Sequence, residues 1–300
     1  MFSVLPFEKE LVDLENYEIG YKVLDNAGDG SLYFGNRVAC SRFNEGKDET
    51  FYAKYNLKKR PYLGPTSTDH ELSFLMANQG QVREGDFVYD PFVGTGSIAM
   101  ALQHFKAFVF GSDLDIRVIK GYGVGRKTKN AIEGLDQIEK FDITTNFKFF
   151  GIPTPDFWIQ DIHSSMLQTQ RAVFDSIVCD PPYGVRARTH KVGIADKDRY
   201  EERKMRHKPD PDREPDEFDN FHASMKEQYA QKDIYADTLD LGSKLLRIGG
   251  RIVFLWHTDD EKSDEENKFP EHPSFEFVCS SKDVLTKHRA RWLITMTKVK

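Results

Sequence analysis

Cysteine is scarce in this chain. Three residues in 300, Cys40, Cys179 and Cys279, stand alone and far apart. Such spacing supports neither a disulfide framework nor a zinc knuckle. The nine histidines include no HExxH or other paired-ligand spacing, so no metal is expected in the chain. Long apolar runs are missing too. Nothing approaches the ~18 uncharged residues that a spanning helix needs, and the opening MFSVLPFEKE meets proline and glutamate too soon for a signal peptide. A soluble, cytoplasmic protein without membrane contact is the expectation. An excess of positive charge is also absent: 42 Lys/Arg face 48 Asp/Glu, for a net charge of −6. That balance excludes a chain that grips nucleic acid by bulk electrostatics alone. Finally, no strand-to-helix turn reads GxGxxG, which argues against a nicotinamide or flavin enzyme.

What is present is a regular alternation. From about residue 84, short apolar runs alternate with helix-like segments. DFVYD (86–90), AFVFGSDLD (107–115), DFWIQD (156–161), FDSIVCD (174–180) and GGRIVFLW (249–256) read as five strands. SIAMALQHF has apolar residues at helical spacing, and a second helical stretch is expected through IRVIKGYGVGRKTKNAIEGL (116–135). FEFVCSS and ARWLITMTKV read as a closing antiparallel pair. The expected fold is α/β, a doubly wound, mostly parallel, Rossmann-like sheet with an antiparallel last strand. Residues 66–300 form this domain, with charged, flexible loops at 186–220 and 258–273. Residues 1–65 have a different texture, strand-like runs around a Gly/Asp turn and then a basic, Pro-containing segment, and read as a leader lobe. A helix is expected to begin near Thr68 or Asp69.

Charge is uneven along the chain. Residues 186–208 carry nine Lys/Arg against four Asp/Glu, and PDPDREPDEFDN after them carries six acids and one Arg. A solvated loop and a lid over phosphates both fit that pattern.

Ligands of such sheets sit at the carboxyl ends of the strands, and four strand ends converge on one ligand chemistry. YDPFVGTGS places Asp90 at a tip and Gly94-Thr95-Gly96 before a helix, a turn whose backbone can approach an anionic group; Phe92 and Ser97 belong to the same loop. GSDLD offers Asp113, 19 positions after Gly94 and so close to the ~20-residue offset of a ribose-binding acid. Asp115 is the fallback, and capping of the next helix is the plain alternative for either acid. IQDIH offers Asp161 as acceptor for an adenine amine, with Ile162 to pack on the ring. Together these ends specify an adenosyl ligand with a charged tail, which S-adenosylmethionine fits best.

The fourth end is CDPPY. Asp180 is an acceptor, Pro181 and Pro182 stiffen the turn and leave carbonyls facing the cleft, and Tyr183 presents a flat face. An exocyclic amine on a base is a poor nucleophile because its lone pair is delocalised. Two acceptors, the Asp180 carboxylate and the Pro181 carbonyl, can bind its hydrogens and stabilise the charge that develops on its nitrogen. Stacking on Tyr183 adds roughly 1–3 kcal/mol, and a base in a folded nucleic acid must first be extruded. Asp180 to Tyr183 are thus the candidate catalytic residues.

On KYNLKKRPYLGPTSTDHELSFLMANQ, YDPFVGTGS, GSDLD and CDPPYGVR the chain resembles, from about residue 5 onward, the catalytic subunit of the tRNA guanosine-10 N2-methyltransferase family. The resemblance implies that Asp180 to Tyr183 hold a guanine of tRNA and that Asp90, Gly94, Gly96, Asp113 and Asp161 hold the cofactor. It also implies that GPTSTD (64–69), with Thr66 and Ser67, closes over the methionine end. The family carries an N-terminal RNA-binding region of ferredoxin-like plus THUMP type, of which residues 1–65 match only the trailing edge. Lys58, Lys59, Arg60, Arg186, Arg188 and Lys191 are the candidate RNA contacts. The resemblance further implies a heterodimer with a small zinc-binding activator protein. An aromatic edge at FKFFGIPTPDFWIQ (147–160) is the candidate docking site, unless the chain's own helices cover those rings. DNA adenine N6-methylation and a non-catalytic assembly subunit remain the alternatives.

Overall fold

The structure is a computed structural model. It describes residues 20–26, 28–37, 50–122, 126–127, 134–165, 167, 171–183, 190–192, 226–259 and 268–300. The described residues divide between Lys54 and Tyr55 into two units. In the first, β1 (Gly20–Asn26) and β2 (Ser31–Arg37) form an antiparallel hairpin. Asn26 and Asp29 side chains accept the Gly28 and Ser31 N–H groups and close its turn.

The second unit runs in the order β3 (Tyr62–Leu63), α1 (His70–Gln79), β4 (Phe87–Asp90), α2 (Ser97–His104), β5 (Phe108–Asp113) and α3 (Ile116–Lys120). It continues with β6 (Arg126–Lys127), α4 (Ile143–Phe149), β7 (Asp156–Ile159), β8 (Phe174–Cys179), β9 (His190–Val192) and β10 (Lys226–Gln228). It ends with α5 (Gln231–Leu245), β11 (Leu246–Asp259), β12 (Phe275–Thr286) and β13 (Arg289–Lys298). Seven strands form one sheet in the order β12-β13-β11-β8-β4-β5-β7. The five from β11 to β7 are parallel, and β13 and β12 are antiparallel. This is the expected doubly wound α/β sheet with an antiparallel closing pair. Its order reverses between β4 and β8, so the crevice for a ligand opens between those two strand tips.

Both faces are covered. Along β11, Val253 and Leu255 join Met76, Met100, Leu102 and Phe147 on the α1–α2–α4 side. Ile252, Phe254 and Trp256 join Tyr235, Leu239 and Leu245 of α5 on the other. This alternation is the period of two that a strand buried on both sides requires.

Three sequence expectations are corrected. The helix read through 116–135 ends at Lys120, because Gly121 is left-handed (φ 77) and a Cβ there would meet the Phe141 carbonyl oxygen at 1.8 Å. Residues 123–125 and 128–133 lie outside the described residues, and Arg126–Lys127 pairs with Tyr62–Leu63 as a short strand. Residues 55–65, read as leader, are part of the second unit. Asn146 of α4 accepts the Tyr62 N–H and donates to its carbonyl. Third, β11 continues to Asp259, into the segment read as a loop from 258.

Candidate functional site

The four strand ends predicted from the sequence lie at the tips of β4, β5, β7 and β8. At the end of β4, Asp90 is 1% exposed and accepts the Phe92 N–H at 3.0 Å. Burial pushes its carboxyl well above the ordinary carboxylate range; the Phe92 N–H opposes this, and the negative charges of Asp113 and Asp180 add to it. Three carboxylates at neighbouring tips make a site that a cation relieves. Phe92 itself is half-buried and packs on the α5-side core.

The turn that follows is built on glycine. Gly96 caps α2 in the left-handed region (φ 84), and a Cβ there would stand 3.0 Å from the Phe147 ring. The Gly94 N–H donates to Asp113 Oδ2 at 3.0 Å, and the Asp113 Oδ1 accepts the Asp115 N–H at 2.8 Å. Asp113 thus ties the β5 tip to the glycine turn, and carboxylate oxygens can accept more than one hydrogen bond each. Asp115, the fallback ribose acid, is instead the cap of α3. It accepts the Arg117 N–H at 3.1 Å and pairs with the Arg117 guanidinium at 2.6 Å. Ser97 is buried, and its hydroxyl accepts from Arg60 Nη1 at 2.5 Å.

That contact corrects the reading of Arg60 as an RNA contact. Arg60 is 1% exposed and donates through Nε to the Tyr55 carbonyl at 2.9 Å. Burial pulls its guanidinium down to about 10, against the field of Asp69. A group enclosed in this way cannot meet a phosphate backbone. Lys58 is exposed and Lys59 half-buried on the same segment.

Beyond β7, Asp161 Oδ1 accepts the His163 N–H at 3.0 Å, and Ile162 is 8% exposed in the α5-side core. His163 Nδ1 meets Asp237 at 2.8 Å, and the Tyr229 hydroxyl donates to the same Asp237 oxygen. Burial, then the Asp237 bond, raises the Tyr229 hydroxyl. Lys191, a predicted RNA contact, lies 3.4 Å from His163 Nε2 and 5.7 Å over the Tyr229 ring. Arg186 and Arg188 lie outside the described residues.

At the β8 tip, Pro181 is buried while Pro182 and Tyr183 are half-buried. The Asp180 side chain is 24% exposed and is reached from two sides. Thr68 Oγ1 donates to Oδ2 at 3.1 Å, and His257 Nε2 stands 3.4 Å from Oδ1. The His257 ring also stacks on Tyr183, with centroids 3.7 Å apart and planes at 20°. Ser67 meets Thr95 of the glycine turn at 3.3 Å, so residues 67 and 68 run from that turn to the clamp. Cys179, one residue before Asp180, is buried, and that burial pushes its thiol up, away from the thiolate form.

Sequence reasoning missed His257 and the side chain of Thr68. The strand alternation carried a signal for the first. Leu255 faces α1, so His257, two residues on, falls on the same face as Val178 and Asp180.

The donor set fits an adenosyl amino acid. A buried carboxylate suits an ammonium group, the glycine turn with the α2 N-terminus suits a carboxylate, and Asp113 and Asp161 suit a ribose and an adenine amine.

Comparison with known proteins follows the same lines. Residues 58–195 match the family model described as RMKL-like, methyltransferase domain. The human tRNA (guanine(10)-N(2))-methyltransferase TRMT11 is 32% identical over 99% of this chain and 61% of its own length. Its namesake from Dictyostelium discoideum is 36% identical over 89% of this chain and 46% of its own length. The chain thus spans about three fifths of the human relative's length. Among solved structures, TrmN from Thermus thermophilus aligns over 96% of this chain and 62% of its own, at 17% identity and a TM-score of 0.48. Along almost its whole sequence the chain is thus similar to the tRNA (guanine(10)-N(2))-methyltransferases.

Proposed function

We propose that the chain carries the methyl-transferring part of an S-adenosylmethionine-dependent tRNA methyltransferase acting on the exocyclic N2 amine of a guanosine, position 10 by similarity to the relatives named above. The observation that carries this reading is the Asp180–Tyr183 clamp beside the glycine turn, across the point where the strand order reverses.

Bound cofactor would supply an activated methyl group; Asp90, Gly94, Gly96, Asp113 and Asp161 would hold it, with Thr66 and Ser67 over its methionine end. The chain's own residues do the rest. Asp180 and the Pro181 carbonyl accept the two amine hydrogens, which turns the nitrogen lone pair out of the ring plane and toward the cofactor side. Tyr183 offers the ring face opposite His257 to the base. Positive charge that develops on nitrogen lies against the Asp180 carboxylate, which can take the amine proton and, being partly exposed, pass it to water.

The substrate partner in this reading is tRNA, and the compartment is the cytoplasm. Lys58, Lys59, Arg186, Arg188 and Lys191 are the proposed phosphate contacts. The second partner is the small zinc-binding activator. The candidate edge supports it: β7 ends the sheet, and no strand pairs beyond it among the described residues. Of the five aromatics of 147–160, only Phe149 stands outside the two cores, half-buried and edge-on to Phe150. Phe147 is buried, Phe157 packs on the α1–α2–α4 core, and Trp158 stacks on Tyr89 at 5.3 Å. The docking surface is therefore the β7 backbone edge with Ile159, which is 52% exposed, and not an aromatic face.

Incubation with labelled cofactor and tRNA or DNA, with and without the activator, tests the reading. Label in tRNA supports it, and label confined to DNA adenine overturns it.

A further inference from the structure

Asp180 can hold an amine only if its carboxylate plane is fixed, because a side chain at a strand tip with 24% exposure otherwise rotates about χ2. Two elements distant in sequence restrain it here. Thr68, just before α1, donates to Oδ2 at 3.1 Å. His257, on β11, faces Oδ1 at 3.4 Å, and facing a carboxylate its Nε2 is the donor. The imidazole is itself held. Its side chain is 10% exposed, it stacks on Tyr183 at 3.7 Å, and the Gln231 amide donates to the His257 carbonyl at 3.1 Å.

We propose that His257 and Thr68 are positioning residues for methyl transfer: they clamp the two oxygens of Asp180 from opposite elements, while the His257 ring backs Tyr183 so that one aromatic face is left for the base. The inference rests on the reading of Asp180 as the acceptor of a base amine. It assigns His257 two separable tasks. The Nε2–H acts on the reacting nitrogen through Asp180 and so belongs to kcat. The ring face acts on base stacking through Tyr183 and so belongs to KM.

The test is steady-state methylation of tRNA by single variants of the full chain with its activator, together with melting temperature and histidine ring NMR. His257→Phe keeps the stack and removes the donor. Its kcat is expected to fall about 10- to 100-fold, the scale of an approximately 1 Å misplacement, with KM for tRNA within about twofold. His257→Gln keeps a donor and removes the ring, so kcat recovers most of that loss while KM rises. Thr68→Val lowers kcat and Thr68→Ser restores it. Without any substrate, Asp180→Asn is expected to move the His257 ring resonances. Wild-type kcat in His257→Phe, losses that follow melting temperature without rescue by Gln or Ser, or unmoved ring resonances would each overturn the proposal. A wild type inactive on tRNA whose His257 resonances still respond to Asp180→Asn would sink the functional reading and leave the coupling standing.

Discussion

Replacing Asp90 by Asn separates stability from ligand recognition at one atom. The carboxyl is 1% exposed, and burial pushes its proton affinity well above that of the unfolded chain. A group whose folded-state affinity is raised contributes most stability below its unfolded value of 3.8, and that contribution is lost as pH rises through the folded value. Asn is isosteric, is never charged and can still accept the Phe92 N–H that Asp90 accepts at 3.0 Å. Asp90→Asn should therefore stabilise the folded chain at neutral pH by about 2 kcal/mol, the scale of relieving one unmatched buried polar group. For a domain of this size that corresponds to an increase in melting temperature of roughly 4–8 °C. The gain should be larger at pH 8 than at pH 5. Cofactor affinity, read by calorimetry, should fall by at least about tenfold because the ammonium loses its counter-charge. A variant less stable than wild type at pH 8, or a gain that does not grow with pH, would refute the account of Asp90 as a buried charge held ready for a cation.

Other substitutions test the scaffold. Gly96→Ala forces a left-handed alanine against Phe147 and should cost about 1–3 kcal/mol in urea unfolding, with weakened cofactor binding. Arg60→Ala should destabilise the chain by roughly 3 kcal/mol while leaving the salt dependence of tRNA binding unchanged, whereas Lys58→Ala should leave stability within about 0.5 kcal/mol and reduce that slope by ~1. Leu255→Ala, 1% exposed in the α1–α2–α4 core, should cost about 2–5 kcal/mol by chemical denaturation. Ile159→Pro removes an outward-facing N–H from the edge strand, since the neighbouring Gln160 N–H turns inward to Asp113, and capture of the proposed activator by the variant should drop if β7 is the docking edge.

The strands were legible because a doubly covered sheet demands apolar runs, and three of these runs stop at an acid: VYD, FGSD, IVCD. The acids mark tips, and tips mark the site. The errors share a different physical origin. KKR reads as a surface cluster, yet Arg60 turns inward because Tyr55 and Ser97 offer it partners that only folding brings together. The stretch from 116 to 135 keeps helical spacing, but one left-handed glycine against Phe141 ends the helix at its second turn. His257 carries no motif at all. Its relevance depends on the adjacency of β8 and β11, a non-local pairing that no window of sequence contains.

The most direct test of the central claim is nucleoside analysis of tRNA methylated by wild type and by Asp180→Asn, each with the proposed activator present. N2-methylguanosine from the wild type, reduced at least about 100-fold in the variant with cofactor affinity preserved, is the predicted result. Methylation of another base by the wild type, or an undiminished yield from Asp180→Asn, would contradict the account.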